Sequence, residues 1–131
     1  MSFEADISRF IGKSEKNAEI VVRRISLELF NKVVQKSPVD TGRFRGNWFL
    51  TASVPSSQTS ARVDKQPYGS DAKDDYYSQA QSNVNRWKLS DNYIYLTNNL
   101  PYAYRLEMGY SKQANSGVAR ISVMEIASKY S

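Results

Sequence analysis

The chain has 131 residues, of which 40% are hydrophobic and 24% are charged, and its formal net charge is +5. This length and composition fit one globular domain that can bury a core. The sequence contains neither Cys nor His, which excludes disulfides, thiolate metal sites and catalysis by Ser-His-Asp or Cys-His groups. We therefore expect neither an enzyme nor a cofactor-binding protein. Without a secretory signal or a long apolar segment, we expect the protein to be made in the cytoplasm and not to bind membranes.

One long helix, or two helices in a line with a break at Gly12 and Ser14, is predicted over about residues 3–36. Apolar residues recur there at helical spacing and form one stripe, with Lys, Arg and Glu on the other faces. The pattern ends at Pro38, because the residue before a proline is disfavoured in helical geometry. The helix must bury its apolar stripe against a small sheet or against another subunit.

A turn and a strand follow this helix. Asp40, Thr41 and Gly42 are typical turn residues, because Asp and Thr side chains bond nearby backbone N–H groups and Gly accepts a positive φ. Apolar and polar residues then alternate over about residues 47–54, which predicts a strand. Residues 55–75 are polar and contain two prolines and a Gly. We predict a long mobile loop there, a kind of segment that often carries function.

The second half of the chain predicts shorter elements. A helix is expected over residues 74–88 and a second strand over 92–97. A short helix over residues 102–108 would end at Gly109, which can adopt the left-handed conformation of a helix C-cap. A final helix is expected over residues 118–130.

Two arginines follow the turn, and they have two readings. Arg43 and Arg45 could hold a phosphate or a carboxylate, because the guanidinium group binds both. The stretch is not a phosphate-binding P-loop, because it lacks the GxxxxGK[ST] pattern and lies between a helix and a strand. On chemistry alone, a helix-to-strand corner with two solvated arginines is favoured.

An acidic run lies near the start of the helix predicted at residue 74. Asp71, Asp74 and Asp75 could gather a hard cation such as Ca²⁺ or Mg²⁺, although their spacing is not that of an EF-hand. A solvated helix start is favoured, because acidic side chains stabilise the first turn of a helix.

Nine tyrosines and two tryptophans are interspersed with basic residues. Tyr93, Tyr95, Tyr102 and Tyr104 could form a stacking platform for single-stranded nucleic acid. Tyr and Trp are equally typical of protein interfaces, and Tyr93 and Tyr95 could simply cover one face of a sheet.

Three stretches, in this order, carry a resemblance to a known family. They are SPVDTGRFRGNW at residues 37–48, YIYLTNNLPYA at 93–103 and YRLEMG at 104–109. The order resembles the neck or tail-completion proteins of long-tailed bacteriophages, also described as minor tail or head–tail joining components. Members show a helix ending in a proline, a V-D-T-G with a following basic or apolar pair, and a later N…PYA…E-G pattern. This chain departs from the family in an insertion over residues 55–90 and in lacking a Pro-rich segment after E-G.

The resemblance implies an α+β domain with an antiparallel sheet packed on the long helix, and a structural role in the virion. Copies of the chain would form a ring in the neck, which completes the tail or docks it to the DNA-filled head. The implied partners are other copies, a head-completion or connector protein on one side, and a tail terminator or tail tube protein on the other. Genome DNA would pass through the lumen without sequence-specific binding.

The resemblance also suggests roles for single residues. The residues expected to form structural corners are Pro38, Asp40, Thr41, Gly42 and Gly109. Those expected to contact another subunit or a partner are Arg43, Arg45, Tyr102, Arg105 and Glu107. Arg105 and Glu107 would form a charge pair that bridges copies.

Two other functions stay open at this point. A basic nucleic-acid-binding module would explain the charge and the aromatic residues, but not the even spread of charge along the chain. An enzyme that uses carboxylates or a Ser-Lys pair ranks last, because no spacing in the sequence supports it.

Overall fold

The protein has an α+β fold with a long first helix packed on a small antiparallel sheet. The structure, a computed structural model, describes residues 2–4, 15–39, 41–91, 93–108 and 117–130. In chain order the elements are β1 (Ser2–Glu4), α1 (Glu15–Lys36), β2 (Trp48–Ala52), α2 (Asp74–Asn85), β3 (Ile94–Asn98), α3 (Ala103–Glu107) and α4 (Ala119–Tyr130). Within these ranges, no helix combines the length and the apolar character needed to cross a bilayer.

The sheet is antiparallel, with strand order β1-β3-β2. Leu50 of β2 pairs with Leu96 of β3, which in turn pairs with Phe3 of β1. Trp48, Leu50, Ile94 and Leu96 are buried and share one hydrophobic cluster with α1. Since side chains alternate along a strand, these four residues mark the face of the sheet that meets the helix.

Helix α1 supplies one side of this core. Buried apolar residues recur along it at three- and four-residue spacings, as the amphipathic pattern predicts: Ala18, Val22, Ile25, Leu29 and Val33, with Phe30 and Val34 buried beside this row. Each of the Val, Ile, Leu and Phe side chains contributes about 1.5–3 kcal/mol of transfer free energy when it is fully buried. The apolar stripe therefore attaches the helix to the sheet.

Helix α4 packs along α1 and is held at its edges by ion pairs. Lys32 and Lys36 each place Nζ 2.9 Å from Glu125, and Lys129 lies 2.9 Å from Glu28. Hydrogen bonds from Lys36 and then Lys32 hold the pKa of Glu125 below its usual value. The side chains of these pairs are partly exposed, so each pair adds little to stability. The buried residues of α4 and its start are Val118, Ala119, Ser122 and Ile126.

The element bounds differ from the sequence predictions mainly at the N-terminus. The predicted helix over residues 3–36 was wrong at its start, because Ser2–Glu4 forms a strand that pairs with β3, and α1 spans Glu15–Lys36. Three residues are too few for periodicity to distinguish a strand from a helix. Residues 5–14 lie outside the described part of the chain.

The later elements fall where they were predicted, with shorter ranges. The strand predicted at 47–54 stops at Ala52, because a φ of 70° takes Ser53 out of the extended conformation, although Ser53 N still donates to Tyr93 O at 3.0 Å. The helix predicted at 74–88 ends at Asn85, and Trp87 N–H then bonds back to Val84 O.

A buried polar cluster at the candidate functional corner

The end of α1 is joined directly to the start of β2. Ser37 Oγ donates a hydrogen bond to Val33 O at 2.6 Å and accepts one from Trp48 Nε1 at 2.7 Å. Pro38 follows and is buried, as expected for a residue that terminates the helix inside the core. The hydroxyl of Ser37 thus satisfies a helix carbonyl and an indole N–H together.

Gly42 makes a close backbone approach that other residues cannot make. It has a φ of +75°, and its carbonyl accepts hydrogen bonds from Gly46 N at 3.1 Å and Asp64 N at 2.9 Å. A Cβ on Gly42 would lie 2.7 Å from Asp64 O. Thr41 Oγ1 accepts a hydrogen bond from Arg43 N at 3.2 Å. Both the conformation and the space therefore require glycine; Asp40 lies outside the described residues.

Arg45 lies at the centre of the corner and is completely buried. Its Nε donates to Val34 O at 2.7 Å, and Nη1 donates to Gln66 O at 2.9 Å. Nη1 also lies 3.4 Å from Asp64 Oδ1, and Nη2 donates to Ser70 O. The guanidinium therefore joins the end of α1 to three points of the loop before α2.

This environment corrects two of the sequence interpretations of Arg45, a solvated side chain and a contact to another subunit, because its relative exposure is 0%. The interpretation that Arg45 could hold a carboxylate agrees with the structure, where the carboxylate is that of Asp64 in the same chain. A buried charge is tolerated only when it is paired and hydrogen-bonded, and here Asp64 and three carbonyls meet that requirement. Arg43, two residues earlier, is exposed and stays a candidate contact residue.

Asp64 extends the cluster to α2. Its Oδ2 accepts a hydrogen bond from Tyr76 Oη, and its Oδ1 accepts one from Gln66 N at 3.0 Å. Burial, together with the hydrogen bond to Asp64, raises the pKa of Tyr76 well above its usual value of 10. Arg62 lies 4.8 Å from the centre of the Tyr76 ring and 5.0 Å from that of Phe49. A charged pair and two aromatic rings therefore hold the loop against the sheet.

The remaining loop contacts argue against the mobility that we predicted for residues 55–75. Asn47 brackets the loop at Ser60: Asn47 Nδ2 donates to Ser60 O at 2.9 Å and Asn47 Oδ1 accepts from Ser60 N at 2.6 Å. Arg62 Nε donates to Gly46 O at 3.0 Å. Gly69 N donates to Gln35 O at 2.8 Å, and Asn99 Nδ2 donates to the carbonyls of residues 56 and 58. The loop has no regular secondary structure, but it is anchored every few residues.

The second of the three motif stretches packs against the first. Asn98 Nδ2 donates to Phe44 O at 2.9 Å, and Asn98 Oδ1 accepts from Leu100 N at 3.3 Å. The rings of Phe44 and Tyr102 lie 6.3 Å apart between centroids, and those of Phe44 and Trp48 lie 5.5 Å apart. Tyr102, a predicted contact residue, is therefore half-buried and packs against Phe44 in the same chain.

Glu107 has an internal role that the sequence did not reveal. Its Oε2 accepts hydrogen bonds from Val118 N at 3.0 Å and Ala119 N at 2.8 Å, and its Oε1 accepts from Arg120 N at 2.8 Å. These are the free N–H groups at the start of α4, where a carboxylate also interacts favourably with the helix dipole. Glu107 is buried, so the prediction that it bridges copies with Arg105 was wrong.

In the rest of the third stretch, Leu106 is half-buried and packs against the hydrophobic core. Arg105 is exposed on α3, next to the exposed Tyr104. Arg120 lies with Nε 3.4 Å from Glu107 Oε1 and donates from Nη2 to Glu107 O. Gly109, predicted as a second corner, falls outside the described residues.

Two residues of the acidic run lie at the start of α2, and the third lies in the loop before it. Asp74 and Asp75 occupy the first turn of the helix, and Asp71 accepts hydrogen bonds from Asn31 and Gln35. Among the residues that the structure describes, no group of three acidic side chains is placed to hold a metal ion. The helix-start interpretation matches this placement.

The structure brings together polar residues that the sequence pattern did not single out. Asp64 pairs with Arg45, 19 residues away, and Tyr76 bonds to Asp64, 12 residues away. Asp64 lies within a polar loop and Tyr76 within a helix of modest amphipathicity, so no periodicity identifies them. Only the folded path of the loop brings them beside the corner.

The sequence matches no protein-family model, and comparison with curated proteins and with solved structures finds no match. The family resemblance therefore depends on the three stretches themselves.

Proposed function

We propose that this chain is a structural protein of a tailed bacteriophage, which forms a ring in the neck and completes the tail or joins it to the DNA-filled head. One observation carries the proposal: the motif stretches that resemble the neck family pack on one another. Phe44 receives both the hydrogen bond from Asn98 and the ring of Tyr102. Residues that are separate in the sequence thus build one structural unit, as expected for a family signature that determines a fold.

In the three motif stretches, the buried residues have a different role from the exposed ones. Gly42, Arg45 and Glu107 maintain the fold through backbone approach, a buried ion pair and a helix cap. Arg43 and Arg105 are exposed, so contacts with neighbouring proteins would fall to them. In this proposal the protein has no catalytic role and needs no cofactor.

The proposed partners follow from a position in the neck. Copies of the chain form a ring, with a head-completion or connector protein on one side and a tail terminator or tail tube protein on the other. Genome DNA passes through the lumen, and the protein is incorporated into the virion after synthesis in the host cytoplasm.

Electron microscopy of lysates from a phage that lacks this gene tests the proposal. We expect unjoined DNA-filled heads and separate tails, and tails of abnormal length would indicate tail termination. Complementation with Arg43→Glu is expected to fail, whereas Lys88→Glu, an exposed control, is expected to restore joining. Normal, infectious particles without the gene would overturn the proposal.

Nucleic-acid binding is the second candidate, favoured by one observation. The ring of Tyr93 is exposed and lies 5.9 Å from that of Tyr95, which is an arrangement on which bases can stack. This function predicts that the protein is retained on single-stranded DNA at low salt, and that retention falls steeply as salt increases. Loss of that retention in Tyr93→Ala would distinguish stacking from attraction by net charge.

A further inference from the structure

An open groove lies between α1 and the start of α2. Its volume is about 570 Å³. Leu27, Ala72 and Tyr77 line it, and each of these side chains is half-buried. The groove therefore offers apolar surface that the chain itself covers only in part.

The rim of this groove is acidic, although the protein as a whole is basic. Glu28, Asp71 and Asp74 contribute three carboxylates and Arg24 one guanidinium, which leaves a formal charge of −2 on a chain of net charge +5. Glu28 is also paired with Lys129. A groove of this sign favours a partner segment that is basic and partly apolar.

The loop before α2 presents a segment with this character. Val63 and Tyr68 are 51% and 47% exposed, and Lys65 between them is exposed as well. The hydrogen bond from Asp64 N to Gly42 O, 2.9 Å long, joins the backbone just before Lys65 to the backbone just before the exposed Arg43. We call these four residues the loop apex.

The loop apex is fixed before it meets any partner. Asp64 is buried in the Arg45 cluster at one end of the apex, and Gly69 N bonds to Gln35 O at the other. Ordering a flexible segment lowers binding affinity, and a segment that is already held in place avoids most of that cost.

We propose that the loop apex of one copy docks in the groove of a second copy. Val63 and Tyr68 would cover the apolar floor, while Lys65 and Arg43 would face Asp71 and Asp74 on the rim. The residues of the loop apex are not among those that line the groove, so every copy carries both halves of the contact. The proposal deepens the neck function, and it rests on the part of that function in which copies assemble.

Charge reversal in the full-length protein tests this contact. Sedimentation of the purified chain up to millimolar concentration gives its self-association constant. We expect Asp74→Lys and Lys65→Glu each to weaken association about tenfold, because like charges then meet across the contact. The double variant carrying both changes is expected to restore association, as is a one-to-one mixture of the two single variants.

Matched controls separate the proposed contact from a general charge effect. Asp75→Lys changes the same charge in the same helical turn but lies off the groove rim, so association should not change. A carbodiimide cross-link between Lys65 and the segment 71–74, found in peptides from mixed isotope-labelled copies, would demonstrate the contact directly.

Three results would overturn the proposal. They are a chain that stays monomeric at millimolar concentration, an Asp75→Lys variant as impaired as Asp74→Lys, and a double variant that does not recover. None of them bears on the neck function, which depends on whether heads and tails join without the gene. If joining needs the gene but the groove variants associate normally, only the groove contact fails.

Discussion

Arg43 and Arg45 stand two residues apart in one corner and have opposite environments. Arg43 is exposed, whereas Arg45 is enclosed by backbone carbonyls and pairs with Asp64. Removing one partner of a buried ion pair leaves the other charge unpaired, which is far more costly than losing an exposed side chain.

Arg45→Ala is therefore expected to lower the free energy of unfolding by about 3–5 kcal/mol. Asp64 would keep its charge in the interior without a cation, and Val34 and Gln66 would lose a donor. Urea denaturation followed by circular dichroism measures the change. Arg43→Ala is the matched control, with an expected change within about 0.5 kcal/mol. Equal losses in both variants would contradict the assigned environments.

Tyr76 predicts how stability changes at alkaline pH. Its pKa is raised in the folded state by burial and by the hydrogen bond to Asp64, whereas in the unfolded chain the Tyr76 hydroxyl has its usual pKa of 10. The protonated hydroxyl of Tyr76 therefore contributes its full stabilisation of the folded state below pH 10, and this contribution is lost as the pH rises above 10. In that range Tyr76 contributes a decline of about 1.4 kcal/mol per pH unit.

Unfolding experiments from pH 8 to pH 11.5 test this dependence. Tyr76→Phe is expected to be less stable at pH 8 by about 1–3 kcal/mol, because Asp64 loses a donor, but to decline less steeply above pH 10. Tyr104→Phe is the control, since its side chain is 67% exposed. An unchanged alkaline slope in Tyr76→Phe would exclude Tyr76 as its source.

At the scale of elements, α4 depends on a carboxylate that another helix supplies. Glu107 belongs to α3 and accepts the N–H groups of residues 118, 119 and 120. An uncapped helix start leaves buried donors without partners, so α3 and the start of α4 stabilise one another.

Glu107→Gln is expected to destabilise the protein by about 1–2 kcal/mol and to speed amide exchange across Ala119–Tyr130. The amide retains one acceptor oxygen but loses the charge that strengthens these bonds. Hydrogen exchange with mass spectrometry resolves the effect on α4. Glu125→Gln in the same helix should change stability by less than about 1 kcal/mol, because its lysine partners are partly exposed. Faster exchange confined to other elements would refute the capping role.

The loop between β2 and α2 is an element without regular structure that acts as a strap. It is attached mainly through polar contacts to the corner, while Val63 and Tyr68 remain exposed. Such a segment keeps its path because its backbone groups have partners, not because it buries apolar side chains.

At the scale of the whole molecule, one hydrophobic cluster joins the helices and the sheet. It includes Trp48 at the start of β2 and Trp87 after α2, which are both buried. A core shared in this way predicts that the chain unfolds in one cooperative step.

We expect tryptophan fluorescence and far-ultraviolet circular dichroism to give coincident urea transitions. Fluorescence reports on the two buried tryptophans, and dichroism reports mostly on the helices. Two separated transitions would show that the chain is not a single cooperative domain. That result would contradict the prediction of one domain over residues 1–131.

The positions of the main helices and strands of this protein could be predicted from its sequence. Helical spacing of apolar residues located most of α1, and alternation located β2 and β3, because both patterns arise from neighbours within a few residues. The proline and glycine of the corner likewise act through backbone geometry that is local to the chain. The family resemblance implied the α+β class, which the structure confirms.

Only the tertiary structure decided which polar side chains pair and which stay exposed. The partners of Arg45 lie 11 to 25 residues away, those of Glu107 begin 11 residues later, and β1 pairs with a strand more than 90 residues on. No periodicity encodes such contacts, because they exist only when the loop and the strands have met around the core. The sequence pattern around a charged residue therefore does not distinguish whether its side chain caps a helix, anchors a loop or contacts a partner.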